Sequence, residues 1–216
     1  MGSELNLETT MKQRILILSF TLSTLLCFGQ KGYLELSENF DKYKGSLREY
    51  YNDIFPKLYK DFSQQSYARY TSIPSFSEEY AFSVETIDNR YYIISNRFSE
   101  NFWYAKKRNQ VKLISHKTEI DSTLYLKIEN LFQILTQQMK TSEKEKRGFD
   151  GTMFYFATTD TNGQMKTGET WSPNDNTVLD RIVKVCNRLF SIDKEKNSSH
   201  SDIVKEIEKL IEEIKK

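Results

Sequence analysis

The clearest hydrophobic pattern lies in the last third of the chain, where an alternation of period two gives way to a helical period. Residues 152–161 and 164–171 are rich in Thr, Phe, Tyr and Met, which is typical of paired strands. Asn162 and Gly163 between them predict a two-residue type I′ turn, because both tolerate a positive φ. After Pro173, which stops the second strand, apolar residues recur at helical spacing.

The two-residue turn sets the expected register of this hairpin. Phe154 is then opposite Trp171, and Phe156 is opposite Glu169. One face of the sheet is predicted to carry Phe154, Phe156, Met165 and Trp171. The other face is predicted to carry Met153, Tyr155 and Ala157. Trp171 is accordingly expected in the core between the sheet and the helices. The alternative is that it stacks on a sugar ring or anchors a protein partner.

The hairpin also resembles a group of known proteins. Its first strand contains Asp150-Gly151-Thr152-Met153-Phe154-Tyr155-Phe156, and its second ends in Gly168-Glu169-Thr170-Trp171-Ser172-Pro173. These two stretches resemble small exported bacterial proteins of unassigned function, over the last third of the mature chain. The resemblance implies an α+β fold and an exported protein, and it implies no particular reaction.

Upstream, the pattern predicts a helix followed by a meander of four strands. An apolar stripe over residues 40–58 indicates the helix, which Ser37 is expected to cap. Between residues 80 and 118 the period changes to two. The predicted strands are 80–85, 90–95, 102–106 and 111–118, with tight turns at Asp88-Asn89 and Arg108-Asn109.

Two further amphipathic helices are predicted. Residues 120–139 carry an apolar stripe behind Asp121, a natural N-cap. Ser201 is expected to cap the last helix, whose stripe contains Ile203, Val204, Ile207, Leu210, Ile211 and Ile214. We expect this helix to pack on its own domain and the protein to be a monomer, because an isolated helix of this length is marginal in water. Self-association through the stripe is the alternative.

The elements together predict an α+β fold. They form an antiparallel sheet of about six strands with packed helices, in the order α, four β, α, two β, α, α. Residues 1–29 are predicted to be an N-terminal extension and a secretory signal peptide. Residues 30–191 form a single α+β domain, and residues 192–216 form a polar linker and the C-terminal amphipathic helix.

The N-terminal residues have the pattern of an export signal. Lys12 and Arg14 precede a short apolar run at residues 15–28, which ends at Gly29. The run is shorter than the ~20 residues that span a bilayer, so cleavage after Gly29 leaves no stable membrane span. We expect a periplasmic or extracellular protein of a Gram-negative bacterium. Residues 1–10 add nothing to this signal, and either Met1 or Met11 is the true start.

The two cysteines are expected to have different environments. Cys27 lies in the leader, but the residue before it is the large Leu26, whereas a lipoprotein signal needs a small residue there. Cys186 lies on the apolar stripe of a predicted helix and is expected to be a small buried hydrophobe. After cleavage it has no second cysteine with which to form an intrachain disulfide.

Composition and motifs narrow the possible functions. The 31 basic and 30 acidic residues nearly balance, which argues against a nucleic-acid partner. The sequence has none of the common phosphate-binding, metalloprotease or nucleophile-elbow motifs. His116 has Glu119 and Asp121 nearby in sequence, but neighbouring strand residues point to opposite faces. No catalytic residue, metal site or cofactor is therefore predicted.

One candidate binding surface comprises Trp103, Tyr104, Lys106, Lys107 and Arg108. Aromatic residues of this kind can anchor a protein partner or stack on a sugar ring, whereas the basic residues can simply form a solvated hairpin tip. We expect an exported, non-enzymatic protein that binds a partner such as an envelope or toxin-like protein. The alternative is an envelope hydrolase that uses carboxylates from distant strands.

Overall fold

The computed structural model describes residues 32–37, 40, 43–141, 150–194 and 200–216. The described residues belong to one compact unit, Gly32–Lys216. The predicted leader at residues 1–29 lies outside them. None of the helices that the structure describes has both the length and the apolar character needed to cross a membrane.

The described residues form a single antiparallel sheet with four α-helices, which confirms the predicted α+β class. The strands are β1 (Glu35–Leu36), β2 (Ala68–Pro74), β3 (Tyr80–Ile87), β4 (Arg90–Phe98), β5 (Leu113–Ile120), β6 (Thr152–Thr159) and β7 (Met165–Trp171). The helices are α1 (Gly45–Leu58), α2 (Ser122–Gln137), α3 (Val178–Phe190) and α4 (His200–Ile214). The spatial order of the seven strands is β1-β7-β6-β2-β3-β4-β5. The prediction of about six strands is close, and β1 has only two residues.

The sheet separates two hydrophobic cores. The larger core contains Phe82 of β3 and Phe156 of β6, packed with residues of α2, α3 and α4. The smaller core lies on the other face, where α1 contributes Tyr50, Ile54 and Leu58. Alternation of side chains along each strand supplies both cores, because successive residues point to opposite faces.

The ends of the central helices agree with their sequence signals. Asp121 caps α2, and its carboxylate accepts a 2.9 Å hydrogen bond from the Leu124 N–H. Thr177 caps α3 and accepts from the Asp180 N–H at 3.2 Å. Ser, Thr, Asp and Asn are favoured at these positions because their side-chain oxygens satisfy backbone donors that the helix leaves free.

Helix α4 packs on its own domain, as expected. Ile203, Ile207, Leu210 and Ile211 are buried and belong to the larger core. Contacts with α2 and α3 cover this stripe. The monomeric state stays a prediction.

Two predicted helix caps are wrong. Helix α1 begins at Gly45, well after Ser37, whose hydroxyl instead donates to a Glu169 carboxylate oxygen at 3.0 Å. Ser37 is therefore held at the edge of the sheet beside β1. Ser201 lies inside the first turn of α4, because that helix already begins at His200.

The four-strand meander has the predicted number of strands but different members. Residues 102–106 form turns rather than a strand, and β2 is a strand that the sequence pattern did not reveal. The carboxylate of Glu79 accepts a hydrogen bond from the Phe102 N–H at 2.9 Å, so this donor does not join a sheet ladder. The predicted turn at Asp88-Asn89 is confirmed, with φ of 51° and 60° and strands paired directly on either side.

The predicted register of the last hairpin is wrong by one residue. Met153 is opposite Trp171, and Phe154 is opposite Thr170. Trp171 therefore shares a face with Met153 and Tyr155, towards the smaller core, and not with Phe154 and Phe156.

The turn itself explains the shift. Among its two predicted left-handed residues only Gly163 has a positive φ, at 76°. The Asp160 carboxylate accepts from the N–H groups of Asn162 at 2.9 Å and Gln164 at 3.0 Å. The loop is consequently a three-residue turn with glycine in the left-handed position, rather than a two-residue type I′ turn.

Candidate binding groove

An aromatic groove with a volume of about 370 Å³ opens beside α1. Residues from α1, the β2–β3 turn, the segment after β4 and the β6–β7 hairpin line it. Seven of the lining side chains are aromatic: Tyr43, Tyr50, Tyr51, Phe76, Trp103, Tyr104 and Trp171. The other lining residues are Leu47, Ile73, Pro74, Met153, Ser75 and Asp150. The volume is near the lower end of the ~300–1,000 Å³ typical of ligand sites.

A buried carboxylate fixes the wall that α1 provides. The Tyr50 hydroxyl donates to one oxygen of Glu79 at 2.7 Å, and the Phe102 N–H donates to the other at 2.9 Å. Glu79 is fully buried. Burial raises the pKa of Tyr50, and the Glu79 carboxylate raises it further, so the hydroxyl remains a donor at neutral pH. Glu79 thereby joins α1 to the segment that carries Trp103.

Trp103 is supported from two sides. Its ring meets the Tyr50 ring edge-on, with centroids 5.1 Å apart. The Arg108 guanidinium lies 5.4 Å from the Trp103 ring, and it donates to the carbonyl oxygens of Phe102 and Trp103 at 3.2 and 3.4 Å. The charge of Arg108 therefore supports the groove wall rather than a separate basic surface.

The rim of the groove is formed by Phe76 and Tyr104. Their rings are nearly parallel, with an interplanar angle of 10° and centroids 6.2 Å apart. Phe76 is 68% exposed and Tyr104 is 60% exposed. Asn101 holds the two segments together, because its amide donates to the Ser77 carbonyl at 2.7 Å and its oxygen accepts from the Tyr104 N–H at 3.0 Å.

Trp171 and Asp150 are placed by Gly151. A Cβ at position 151 would lie only 2.5 Å from the Trp171 ring, so glycine is needed for the indole to approach the backbone. The N–H and hydroxyl of Ser75 both donate to the Gly151 carbonyl, at 2.9 and 2.8 Å. The Asp150-Gly151 pair is therefore tied to the end of β2.

The two histidines lie away from the groove. His116 pairs with Asp193 at 3.3 Å, and His200 pairs with Asp121 at 3.0 Å, so the neighbours considered from sequence do not gather at His116. Within the described ranges, no three His, Cys, Asp or Glu side chains are close enough to hold a metal ion. Cys186 is buried, as predicted, and burial raises the pKa of its thiol.

Comparison with known proteins assigns neither a family nor a function to this chain. A scan against models of protein families, a search of curated proteins and a search of solved structures each found no match to this chain. The chemistry of the aromatic groove is therefore the basis on which a function is inferred.

The five residues of the predicted binding surface do not all line the groove. Trp103 and Tyr104 line the groove, and the guanidinium of Arg108 packs against the Trp103 ring. Lys106 and Lys107 are exposed and are not among the lining residues.

The sequence interpretation missed Phe76, and it placed Trp171 in the wrong core. Phe76 lies between Ser75 and Ser77 in a polar turn, and an aromatic residue in such a turn is the signal that was available. The position of Trp171 depends on the length of a hairpin loop, which the Asn-Gly dipeptide alone did not determine.

Proposed function

We propose that the protein is an exported, non-enzymatic binding protein that engages a macromolecular partner through the aromatic groove. The observation that carries this proposal is the exposed pair Phe76 and Tyr104 beside the groove that contains Trp103 and Trp171. Clustered exposed aromatic side chains mark interaction sites, because their hydration is relieved on binding. Trp and Tyr are also enriched among the residues that contribute most to binding.

The rigidity of the groove supports the same function. Glu79, Asn101 and Gly151 fix three of its walls through hydrogen bonds and a close backbone contact. A site that is already ordered loses less conformational entropy when it binds. Its aromatic rings can therefore contribute most of their contact free energy to affinity.

Hydrolysis by carboxylates is the competing proposal, and the groove offers less support for it. Glycosidases, for example, use two carboxyl groups on either side of the bond that they cleave. Among the described lining residues, Asp150 is the single acid. Glu79 lies behind the wall, fully buried, with both oxygens accepting hydrogen bonds from the protein. Binding is therefore the function that the groove favours.

The expected compartment limits the choice of partner. The leader pattern at residues 12–29 and the resemblance of the Asp150 hairpin to exported bacterial proteins both support export. A partner in the envelope or outside the cell, such as an envelope protein or a toxin-like protein, would meet the groove there.

Retention of a partner from envelope extract tests the proposal. Mature protein, residues 30–216, is immobilised beside a Phe76→Ala/Tyr104→Ala double variant, and retained proteins are identified by mass spectrometry. We expect the double variant to retain about tenfold less partner, because exposed aromatic anchors contribute strongly to binding. Tyr67→Ala is the matched control, since Tyr67 is 44% exposed and does not line the groove.

Equal retention by the wild type, the double variant and the control would exclude the groove as the partner site. Circular dichroism of each protein establishes that any loss of binding is not a loss of folding.

A further inference from the structure

The hydrogen-bonding side chains of the aromatic groove are two indoles, four tyrosine hydroxyls, one serine hydroxyl and one carboxylate. The indole N–H groups of Trp103 and Trp171 can only donate, and the Tyr104 hydroxyl can donate as well. Among the lining residues that the structure describes, none carries an amide, amino or guanidinium group. The one charged group is the exposed carboxylate of Asp150. A ligand that is largely apolar, offers acceptors to the two indoles and carries a positive charge near Asp150 is complementary to this lining.

A proline-rich segment in the polyproline II conformation has these properties. Its backbone carbonyls make no internal hydrogen bonds, and each proline lacks the N–H donor. Its pyrrolidine rings are apolar and pack well on aromatic side chains, which is the basis of known proline-rich recognition. The segment is also extended before it binds, so it loses little conformational entropy in an open groove.

We infer that the aromatic groove binds a proline-rich segment of a partner protein, with an Arg or Lys of that segment beside Asp150. This inference rests on the proposed binding function and specifies its ligand. Asp150 lies at the mouth, held through Gly151 and Ser75, so it can select a cation without burying it. The contribution of this pair is modest and sensitive to salt, because exposed ion pairs are screened by water and ions.

A saccharide fits the same groove less well. Sugar hydroxyls act as donors and acceptors together, and they need acceptor groups as well as donors in the protein. Among the described lining residues the Asp150 carboxylate is the one charged acceptor, and no side-chain amide is present to offer a donor and an acceptor together. Aromatic faces alone satisfy only the apolar side of a sugar ring.

Titration of the mature protein with synthetic peptides tests the inference. The probes are oligoproline dodecamers with one Arg placed at each position in turn. Matched peptides carry Glu in place of Arg, or Ala in place of every Pro. Isothermal calorimetry and tryptophan fluorescence measure binding, since Trp103 and Trp171 lie in the groove. Oligosaccharide fragments of peptidoglycan form a separate arm.

We expect saturable binding of the best Arg-containing oligoproline and at least about tenfold weaker binding of its Ala counterpart. Replacing Arg by Glu should weaken binding about threefold at low salt, and Asp150→Asn should abolish that difference. Tyr104→Ala should weaken binding about tenfold, whereas Tyr67→Ala should leave it unchanged. Phe76→Ala is the second groove variant if Tyr104→Ala does not fold.

Absence of saturable binding by every oligoproline overturns the inference, as does equal binding of the Pro and Ala peptides. Preferential binding of the oligosaccharides overturns it in favour of a glycan ligand. In each case the proposed function stands if the envelope partner is still lost from the Phe76→Ala/Tyr104→Ala variant. If that partner is retained equally, the proposed function fails as well.

Discussion

Residues in the left-handed backbone region determine how the β3–β4 and β6–β7 hairpins turn. Asp88 and Asn89 both have positive φ, and β3 and β4 are joined by these two residues alone. In the later hairpin only Gly163 is left-handed, and the Asp160 carboxylate organises a longer loop around it. The extra loop residue changes the register and turns Trp171 towards the groove, because a shift of one residue exchanges the faces of a strand.

Gly163→Val is expected to destabilise the domain by more than ~1 kcal/mol, because a β-branched residue at this φ is strained. Steric overlap is not the cause, since the nearest heavy atom to an added Cβ is 3.7 Å away. Thermal and urea unfolding measure the effect. Gly163→Asn is the control and should be better tolerated, because Asn adopts left-handed conformations more readily. Equal unfolding midpoints for Gly163→Val and the wild type would contradict the proposed backbone strain.

Asp121→Ala is expected to lower the free energy of unfolding by about 1 kcal/mol at pH 7, through loss of the α2 cap. The Leu124 N–H holds the pKa of the Asp121 carboxyl below its ordinary value, and His200 contributes. Because the folded pKa is the lower one, this stabilisation is complete above about pH 4 and is lost as pH falls through the folded pKa.

Urea unfolding of the wild type and Asp121→Ala at pH 7 and at pH 2.5 tests this expectation. The difference between the two proteins should be smaller at the acidic pH, because the wild-type carboxyl takes up a proton as pH falls through its folded pKa. Asp121→Asn is the control, because an amide oxygen still caps the helix but does not titrate in this range. A difference that is constant with pH would show that the carboxylate charge does not contribute.

At the scale of elements, sequence was most informative where the signals are local. The Asp121 cap and the stripe of α4 each act within a few residues, and both were recognised. Strand β2 was missed because both its faces are largely buried, so it lacks the alternation that marks a strand with one exposed face.

Long-range contacts explain why a strand was wrongly predicted at residues 102–106 and why the groove was only partly foreseen. Residues 102–106 have the composition of a strand, but Glu79 binds the Phe102 N–H from 23 residues away. The groove likewise combines α1, the β2–β3 turn, the segment after β4 and the last hairpin. Trp103 and Tyr104 could be selected from sequence because they are large aromatic residues. That they line one groove with Phe76 depends on tertiary structure.

Ile207→Ala is expected to lower the free energy of unfolding by about 2–4 kcal/mol, because it leaves a cavity where α4 packs on α2 and α3. Ile207 is fully buried there. Leu126→Ala is the control, since Leu126 is 57% exposed and should change stability by less than about 0.5 kcal/mol. Urea unfolding provides the comparison. A similarly small decrease in the free energy of unfolding for both variants would show that α4 packs only loosely on the domain.

At the scale of the whole molecule, the burial of the α4 stripe predicts a monomer. A stripe already covered by α2 and α3 is not available for a second copy of the chain. Light scattering on the mature protein should give the mass of one chain. A dimeric mass that persists on dilution would contradict this expectation.

The proposed export predicts a defined mature N-terminus. Cleavage after Gly29 should leave Gln30 as the first residue, because the apolar run ends at this small residue. N-terminal sequencing of the exported protein measures this directly. Retention of Met11, or a lipid attached to Cys27, would contradict the predicted processing.

The strand order has a kinetic consequence. Strands β2 to β5 follow one another in the chain and can pair as they become available, but β2 also pairs with β6, which comes after α2. The hydrogen bond between the Ser37 and Glu169 side chains joins residues that are 132 positions apart in the chain. Folds dominated by such distant pairings are slow, with folding times of about milliseconds to seconds. A chain that completes its sheet late stays unfolded for longer, which would favour passage through a membrane channel if the protein is exported as we propose.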